Sequence, residues 1–303
     1  MLHALTLVLL MGAAPAVPAR IEARIASRLR SFHGVMGVAA IHLDRGESIA
    51  VNADTRFPTA SSIKTAVMVE VFHQIAAGRL SRNQLVGLTD EVKVGGSGVL
   101  GNLRAGGQYS VADLLYLMIA LSDNTATNLL VGLVGTERVN DRMSGYGLPL
   151  TRLYRPTFRD GRADVWPDEE KEFGLGSSTP REMARLMERI ARGEAVSREA
   201  SDEMVAILAR QQYRDMVPRL LPDTEAGVVV ANKTGQDDEK TVSPGGIRGA
   251  IRNDAAIVTT PKGRYVLAIF SRRVRDTRYC ADNEALVAGA DVSRLVFEHF
   301  MSP

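Results

Sequence analysis

Ser61 and Lys64 stand three positions apart in "FPTASSIKTAV", directly ahead of the apolar run Ala66 to Phe72. On a helix that spacing puts a hydroxyl and an amine on one face, within hydrogen-bonding reach. A serine hydroxyl attacks poorly until a base takes its proton, and a lysine becomes such a base when burial or a neighbouring cation lowers its pKa. The helix N-terminus adds free backbone N–H groups where an oxyanion would develop. The pair is therefore sufficient in principle for attack on an acyl carbon, although a Ser-x-x-Lys match arises about once by chance in a chain this long. Two further groups carry chemistry. "LSDNTATNLL" sets Ser122, Asp123 and Asn124 between two helical runs, and "ANKTGQ" ends an apolar strand on Lys233, Thr234 and Gly235. Taken singly these are ordinary: serine and aspartate cap helices, and lysine solvates a strand end.

The elements that must bring these groups together fall into three zones, with no internal repeat. "PARIEARIASRLRSF" has helical spacing with Ile21, Ile25 and Leu29 on one face, and "GVMGVAAIHLDRGESIAVNADTRF" reads as two strands joined at Asp44-Arg45-Gly46. From Pro58 to about Leu208 the pattern is mostly helical: Ile63 to Ala77, Val111 to Leu121 behind the capping pair Ser110 and Asp113, Asn124 to Val134, and "TPREMARLMERIARG". Beyond Ala226, "GVVVANKTG", "RGAIRNDAAIVTT" and "RYVLAIFSRR" are β-rich, and "ADNEALVAGADVSRLVFEHF" closes with a helix. The pattern predicts an α/β (α+β) fold. Strands from both chain ends share an antiparallel sheet flanked by the terminal helices, with a helical lobe (about 58–208) inserted between the two parts of the α/β lobe (about 20–57 and 209–303).

Composition bounds the function. The chain has 303 residues, 45% of them hydrophobic, and a formal net charge of only +2, so nothing calls for a nucleic-acid partner. The apolar stretch from Leu2 to about Ala14, followed by the small residues Val17-Pro18-Ala19, reads as an export leader over residues 1–19, too short to span a bilayer. The expectation is an exported enzyme, secreted or periplasmic, acting as a monomer with no membrane insertion after processing. Cys280 is the sole cysteine, which excludes an internal disulfide and a cysteine metal cage. The five histidines show no metal spacing, and no metal or cofactor is expected.

Ser-x-x-Lys, Ser-Asp-Asn and Lys-Thr-Gly, in that order, are the three boxes of the penicillin-recognising serine enzymes. The sequence resembles the class A β-lactamases from roughly Val35 to the C-terminal helix, through "RFPTASSIKTAV", "SDNTATNLL", "TPREMARLM" and "NKTG". The resemblance implies that Ser61 attacks the carbonyl and Lys64 helps to take its proton. Ser122 would relay a proton to the leaving nitrogen, and Asn124 would hold the substrate amide and orient Lys64. Lys233 and Thr234 would bind the substrate carboxylate, while Gly235 lets the substrate lie close to the strand. The N–H groups of Ser61 and Gln236 would form the oxyanion hole. The substrate it implies is a small β-lactam or a D-alanyl peptide-like molecule.

The chain departs from that pattern in one place. Class A enzymes carry a glutamate that activates the deacylating water, in an Arg-x-Glu-x-x-Leu-Asn pattern. Arg155 matches the arginine, but Thr157 stands at the glutamate and Gly161 at the asparagine. Asp160, Asp164, Glu169, Glu170 and Glu172 lie nearby, most of them reading as solvated loop charges; if one of them reaches the acyl-enzyme, Asp164 is the choice, because counting back from Pro180 brings the glutamate position near it. Elsewhere, Gly96-Ser97-Gly98-Val99-Leu100-Gly101 satisfies Gly-x-Gly-x-x-Gly without a βαβ context and reads as a loop bordering the cleft. Arg248 and Arg252 share one face of a predicted strand, where either could stand beside Lys233 as a second carboxylate anchor. Three functions remain open: a β-lactam hydrolase, a D-alanyl peptidase or acyl-transferase, and a penicillin-binding sensor that does not turn over.

Overall fold

The computed structural model describes residues 17–158, 162–242, 246 and 248–302; the expected leader up to residue 16, and Asp160 and Gly161, lie outside the described residues. Helix α1 (Val17–Arg28) leads into the hairpin β1 (Val35–His42) and β2 (Ser48–Val51), and β3 (Phe57–Pro58) ends this first pass. The middle of the chain carries helices α2 (Lys64–Ala76), α3 (Val111–Ala120), α4 (Asn124–Val134) and α5 (Thr136–Gly145). Strands β4 (Leu85–Gly87) and β5 (Gln108–Ser110) pair with each other before α3. Next come β6 (Arg152–Leu153), α6 (Pro167–Phe173), β7 (Gly176–Ser178), α7 (Pro180–Arg192) and α8 (Arg198–Leu208). The long strands β8 (Val229–Val242), β9 (Arg248–Thr260) and β10 (Gly263–Arg272) then lead to α9 (Glu284–Met301).

Five strands form one antiparallel sheet in the order β2-β1-β10-β9-β8, so both ends of the chain contribute to it, as the sequence predicts. Side chains alternate across the sheet because successive residues of a strand point to opposite faces. Met36, Val38 and Ala40 join Ile21, Ile25, Val292, Val296 and Phe300 in a core under the terminal helices. Ala39 and Ile41, with Ala255, Ile257, Val266 and Ala268, face the helical lobe. With both faces covered, β9 and β10 read as almost continuous apolar runs.

At the centre of the helical lobe lies α2, buried over most of its circumference from Lys64 to Phe72. A helix that is apolar all round belongs in a core rather than on a surface. Lys64 therefore begins a helix set in the core of the lobe. Capping fixes the neighbouring helices: Ser110 and Asp113 form a capping box on α3, and Asp123 caps α4 through the Ala126 amide. The segment ahead of α2 is a 3-10 turn (Ala60–Ile63) rather than the α-helix expected from Ile63, and β8 continues seven residues beyond Gly235.

The loop from β6 to β7 closes on itself at its neck. Arg155 is buried and donates through Nε to Glu170 at 2.7 Å, and the Lys240 ammonium of β8 reaches the same carboxylate. Removing one partner from a buried pair strands the other charge at a cost of about 3 kcal/mol or more. Glu170→Ala is therefore expected to lower the urea midpoint and expose the loop to proteolysis, with Glu170→Gln less damaging because its amide oxygen still accepts from Arg155. An unchanged midpoint in Glu170→Ala would show that the neck does not depend on this contact.

Candidate active site

Three elements converge on one cleft of about 420 Å³. The 3-10 turn before α2 brings Ser61, the α3–α4 junction brings Ser122 and Asn124, and β8 brings Thr234 and Gln236. Lys64 and Lys233 lie fully buried behind the wall, so the predicted site residues are drawn into one constellation. Gly235 completes it by closeness: a Cβ there would stand 2.4 Å from the Thr59 carbonyl oxygen and 3.2 Å from the Ser61 nitrogen. Only glycine lets β8 lie against the nucleophile turn.

Ser122 is the hub. Its Oγ lies 3.2 Å from Lys64 Nζ and 3.1 Å from Lys233 Nζ. Lys64 also donates to the Ser122 carbonyl at 2.7 Å and to Asn124 Oδ1 at 2.8 Å, while Lys233 donates to the Thr234 carbonyl at 2.8 Å. A neutral amine has two N–H groups, which the two carbonyl acceptors occupy, leaving the Lys64 lone pair for a hydroxyl proton. Burial, and then the charge of Lys233, hold the Lys64 pKa well below its ordinary value, against the opposing pull of Asp123. Burial also lowers Lys233, to about 7, with Asp254 opposing. Ala60 and Ser122 have φ of 44° and 54°, left-handed values that cost a non-glycine residue about 1 kcal/mol or more each and that cluster at functional sites.

Polar residues that the motif reading missed hold this geometry. Asn253, in register with Gly235 on β9, donates to the carbonyls of Pro58 and Thr59 at 2.8 and 3.0 Å, pinning the turn that carries Ser61. Asp254 is fully buried, accepts from Asn232 and from the Val217 amide, and is raised by burial to about 6. The signal for both was two polar residues inside the apolar run of β9. The Gly-x-Gly-x-x-Gly segment borders the cleft as expected and clamps the second box. Val99 and Leu100 donate to Asp123 at 2.6 and 2.8 Å, and a Cβ on Gly98 would collide with that carboxylate.

Thr157 stands in the cleft wall, held by Asn128 of α4. Asn128 Oδ1 accepts from the Thr157 amide at 2.7 Å and lies 2.9 Å from its hydroxyl, and Asn128 Nδ2 donates to the Thr157 carbonyl at 2.8 Å. Asp164 does not substitute for the absent glutamate. Its carboxylate accepts from Thr136 at 2.7 Å, its amide donates to the Tyr154 carbonyl at 2.8 Å, and it lines a second cavity with Gly135, Thr136 and Pro156. Glu169 pairs with Arg56 and Arg152, Glu170 with Arg155, and Glu172 with Arg272. Among the described residues, Asp237 is the one carboxylate lining the cleft.

The expected second anchor is not beside Lys233 either. Lys233 pairs in register with Ala255, three residues from Arg252, and Arg248 is exposed at the far end of β9 opposite Val242. Arg252 is buried, and its guanidinium donates to the carbonyls of Ile251, Asp237, Thr277 and Arg278 under the ring of Tyr279. Four backbone acceptors leave it a structural cross-brace. Cys280 is exposed, and no cluster of metal-ligating side chains occurs among the described residues.

Comparison with known proteins bears on this geometry. A family model described as "Beta-lactamase enzyme family" matches residues 20–300. A beta-lactamase of Streptomyces fradiae is 28% identical over 94% of this chain and 88% of its own. The solved beta-lactamase of Sphaerobacter thermophilus is 30% identical with a TM-score of 0.79, covering 93% of this chain and 97% of that one. PBP-A is 26% identical with a TM-score of 0.76, covering 94% and 95%. A leucine-to-glutamate mutant of PBP-A, solved as an acyl-enzyme complex with penicillin G, is 27% identical with the same score and covers 94% of this chain and 96% of that one.

The Lys233 pKa gives the site a directional pH dependence. Its charge is present below about 7 and lost above it, so capture of an anionic group weakens as pH rises. The rate of Ser61 modification by a carboxylate-bearing acylating reagent, divided by that for its neutral ester, is expected to fall about tenfold between pH 6 and 8. The ratio cancels the opposite effect of Lys64 deprotonation. A flat ratio would remove Lys233 from carboxylate capture.

Proposed function

The chain belongs to the beta-lactamase enzyme family, as a serine hydrolase of the class A type, and from that premise we propose that it opens β-lactam rings by acyl transfer to Ser61. The observation that carries this reading is the Ser122 hydroxyl set between two buried lysine amines. Lys64 takes the Ser61 proton as Oγ attacks the lactam carbonyl. The N–H groups of Ser61 and Gln236 receive the oxyanion. Lys233 and Thr234 hold the ring carboxylate, Asn124 pairs with the acyl amide, and Gly235 gives the substrate room along β8. As the C–N bond breaks, Ser122 passes a proton to the nitrogen, and the chain from Lys64 through Ser122 supplies it.

Deacylation is the weak half of the cycle. Thr157 offers a hydroxyl, already engaged by Asn128, where a water-activating carboxylate would stand, and a hydroxyl is no general base near neutral pH. That observation favours a second reading for the same acyl-enzyme: release to an amine acceptor, or slow release, as in a D-alanyl peptidase or acyl-transferase. The protein works as a monomer, since one chain completes the cleft. The leader-like stretch from Leu2 to Ala14 supports export to the periplasm or medium.

Two variants test the halves separately. Ser61→Ala is expected to abolish labelling by a fluorescent penicillin, and label persisting on another serine would overturn the nucleophile. Wild-type enzyme is expected to give a burst with a chromogenic cephalosporin, then slow turnover, with an intact-mass adduct on Ser61. Thr157→Glu should raise that steady rate by about tenfold or more. Fast linear hydrolysis by the wild type with no adduct would mean that another base activates the water.

A further inference from the structure

Lys233, Gly235 and Asp237 alternate along β8 and so share one face of the strand. Gly235 lies against the Ser61 nitrogen, which puts the lysine and the aspartate on opposite sides of the nucleophile, their Cα atoms about 14 Å apart. The two differ in setting. Lys233 is buried behind the wall, whereas Asp237 is solvent-accessible and lines the cleft itself.

Among the described residues, no ion pair uses the Asp237 carboxylate. Its side-chain hydrogen bond comes from the Asp238 amide at 2.9 Å. The nearby cations are committed elsewhere: Arg155 to Glu170 and the Pro156 carbonyl, Arg252 to four carbonyls that include Asp237's own. Desolvation by the cleft walls raises the Asp237 pKa, the Asp238 amide opposes this, the Asp238 charge adds to it, and Arg155 and Arg252 act against it. Tyr279 completes the charged and titratable groups around it, bonded at 3.4 Å to Asp238.

Across the cleft stands an apolar wall. The Phe158 ring is 64% exposed and packs over Gly96, where a Cβ would meet both that ring and Asn124 Nδ2. A substrate whose amide pairs with Asn124 therefore carries its acyl substituent past Phe158, within the cleft that Asp237 also lines. The cleft is dipolar, with a cation at the carboxylate end and an unpaired carboxylate at the acyl end. Resting on the acyl-transfer reading above, we propose that Asp237 is a specificity-determining residue that selects zwitterionic substrates, those carrying a protonated amine on the acyl side chain opposite their carboxylate.

Three penicillins that differ only at the α-carbon of a phenylacetyl side chain test this: ampicillin (ammonium), benzylpenicillin (hydrogen) and carbenicillin (carboxylate). Second-order rate constants for acylation of Ser61 are expected to fall in that order, with steps of about three- to fivefold. About 1 M salt should compress the order in the wild-type enzyme, where folding is not in question. Asp237→Asn should abolish the preference, Asp237→Glu keep it and Asp237→Lys invert it, each read as a ratio among the three so that any general loss cancels. Equal rates in the wild type, or the same order in Asp237→Asn, would overturn the proposal while leaving acyl transfer intact. Neither an adduct nor hydrolysis with any of the three would instead remove the acyl-transfer reading itself.

Discussion

Two lysine amines share one serine hydroxyl in a region that water does not reach, and this arrangement constrains everything around it. Two like charges so close in a desolvated site cannot both be held at little cost, so the protons distribute unequally. Lys64 is the one depressed by its neighbour's charge, and Lys233 has the buried Asp254 behind it. Positive charge is therefore favoured on Lys233 over Lys64. In the proposed reaction that difference separates the roles of two chemically identical side chains: Lys233 receives an anion and Lys64 accepts a proton. Burial does this work, and it requires Lys64 to begin a helix sunk in the core rather than one lying on the surface.

The same constraint explains why the site is assembled from the sheet as well as from the helical lobe. Ala60 and Ser122 occupy left-handed backbone conformations that would relax unless the surroundings over-determined them. On the Ser61 side, Asn253 grips the carbonyls of Pro58 and Thr59, and the Ser271 amide fixes the Asn253 side chain in turn at 2.9 Å. On the Ser122 side, Ser97 donates to its carbonyl at 2.7 Å, and Asp123 ties the glycine-rich loop to the start of α4. Each strained residue is thus held by polar contacts from an element distant in sequence. The turn that carries Ser61 is held from the sheet, and the Ser122 turn from within the helical lobe.

Most of the fold and the cleft residues were legible in the sequence. Elements whose apolar period was long came through with their bounds nearly intact: α4 over Asn124 to Val134, β9 over Arg248 to Thr260, and the capping box at Ser110 and Asp113. The misses have a common cause. Asp164 and Arg252 were placed by counting along the chain, but the direction of a side chain on a loop, or its partners in a sheet, depends on contacts that spacing does not encode. Arg252 is consumed by carbonyls from residues as far away as Arg278, and Asp164 turns to Thr136 on a different helix. Asn253 and Asp254 carried a visible signal, polarity within a buried strand, yet no motif assigns them a partner.

The two halves of the proposed reaction rest on parts of the structure built differently. The groups proposed for acylation are mounted on the 3-10 turn before α2, on α2, on the α3–α4 junction and on β8. The deacylation position sits on the β6–β7 loop, held at its neck by Arg155, Glu170 and Lys240 and along its wall by Asn128. Asn128 holds the Thr157 backbone at both its N–H and its carbonyl, and it also takes up the Thr157 hydroxyl. A change from glutamate to threonine there alters proton acceptance and leaves the acylating apparatus untouched. In the proposed reaction, the side chain at 157 on this loop sets the fate of the acyl-enzyme, while the lysines and the Ser122 hydroxyl form it.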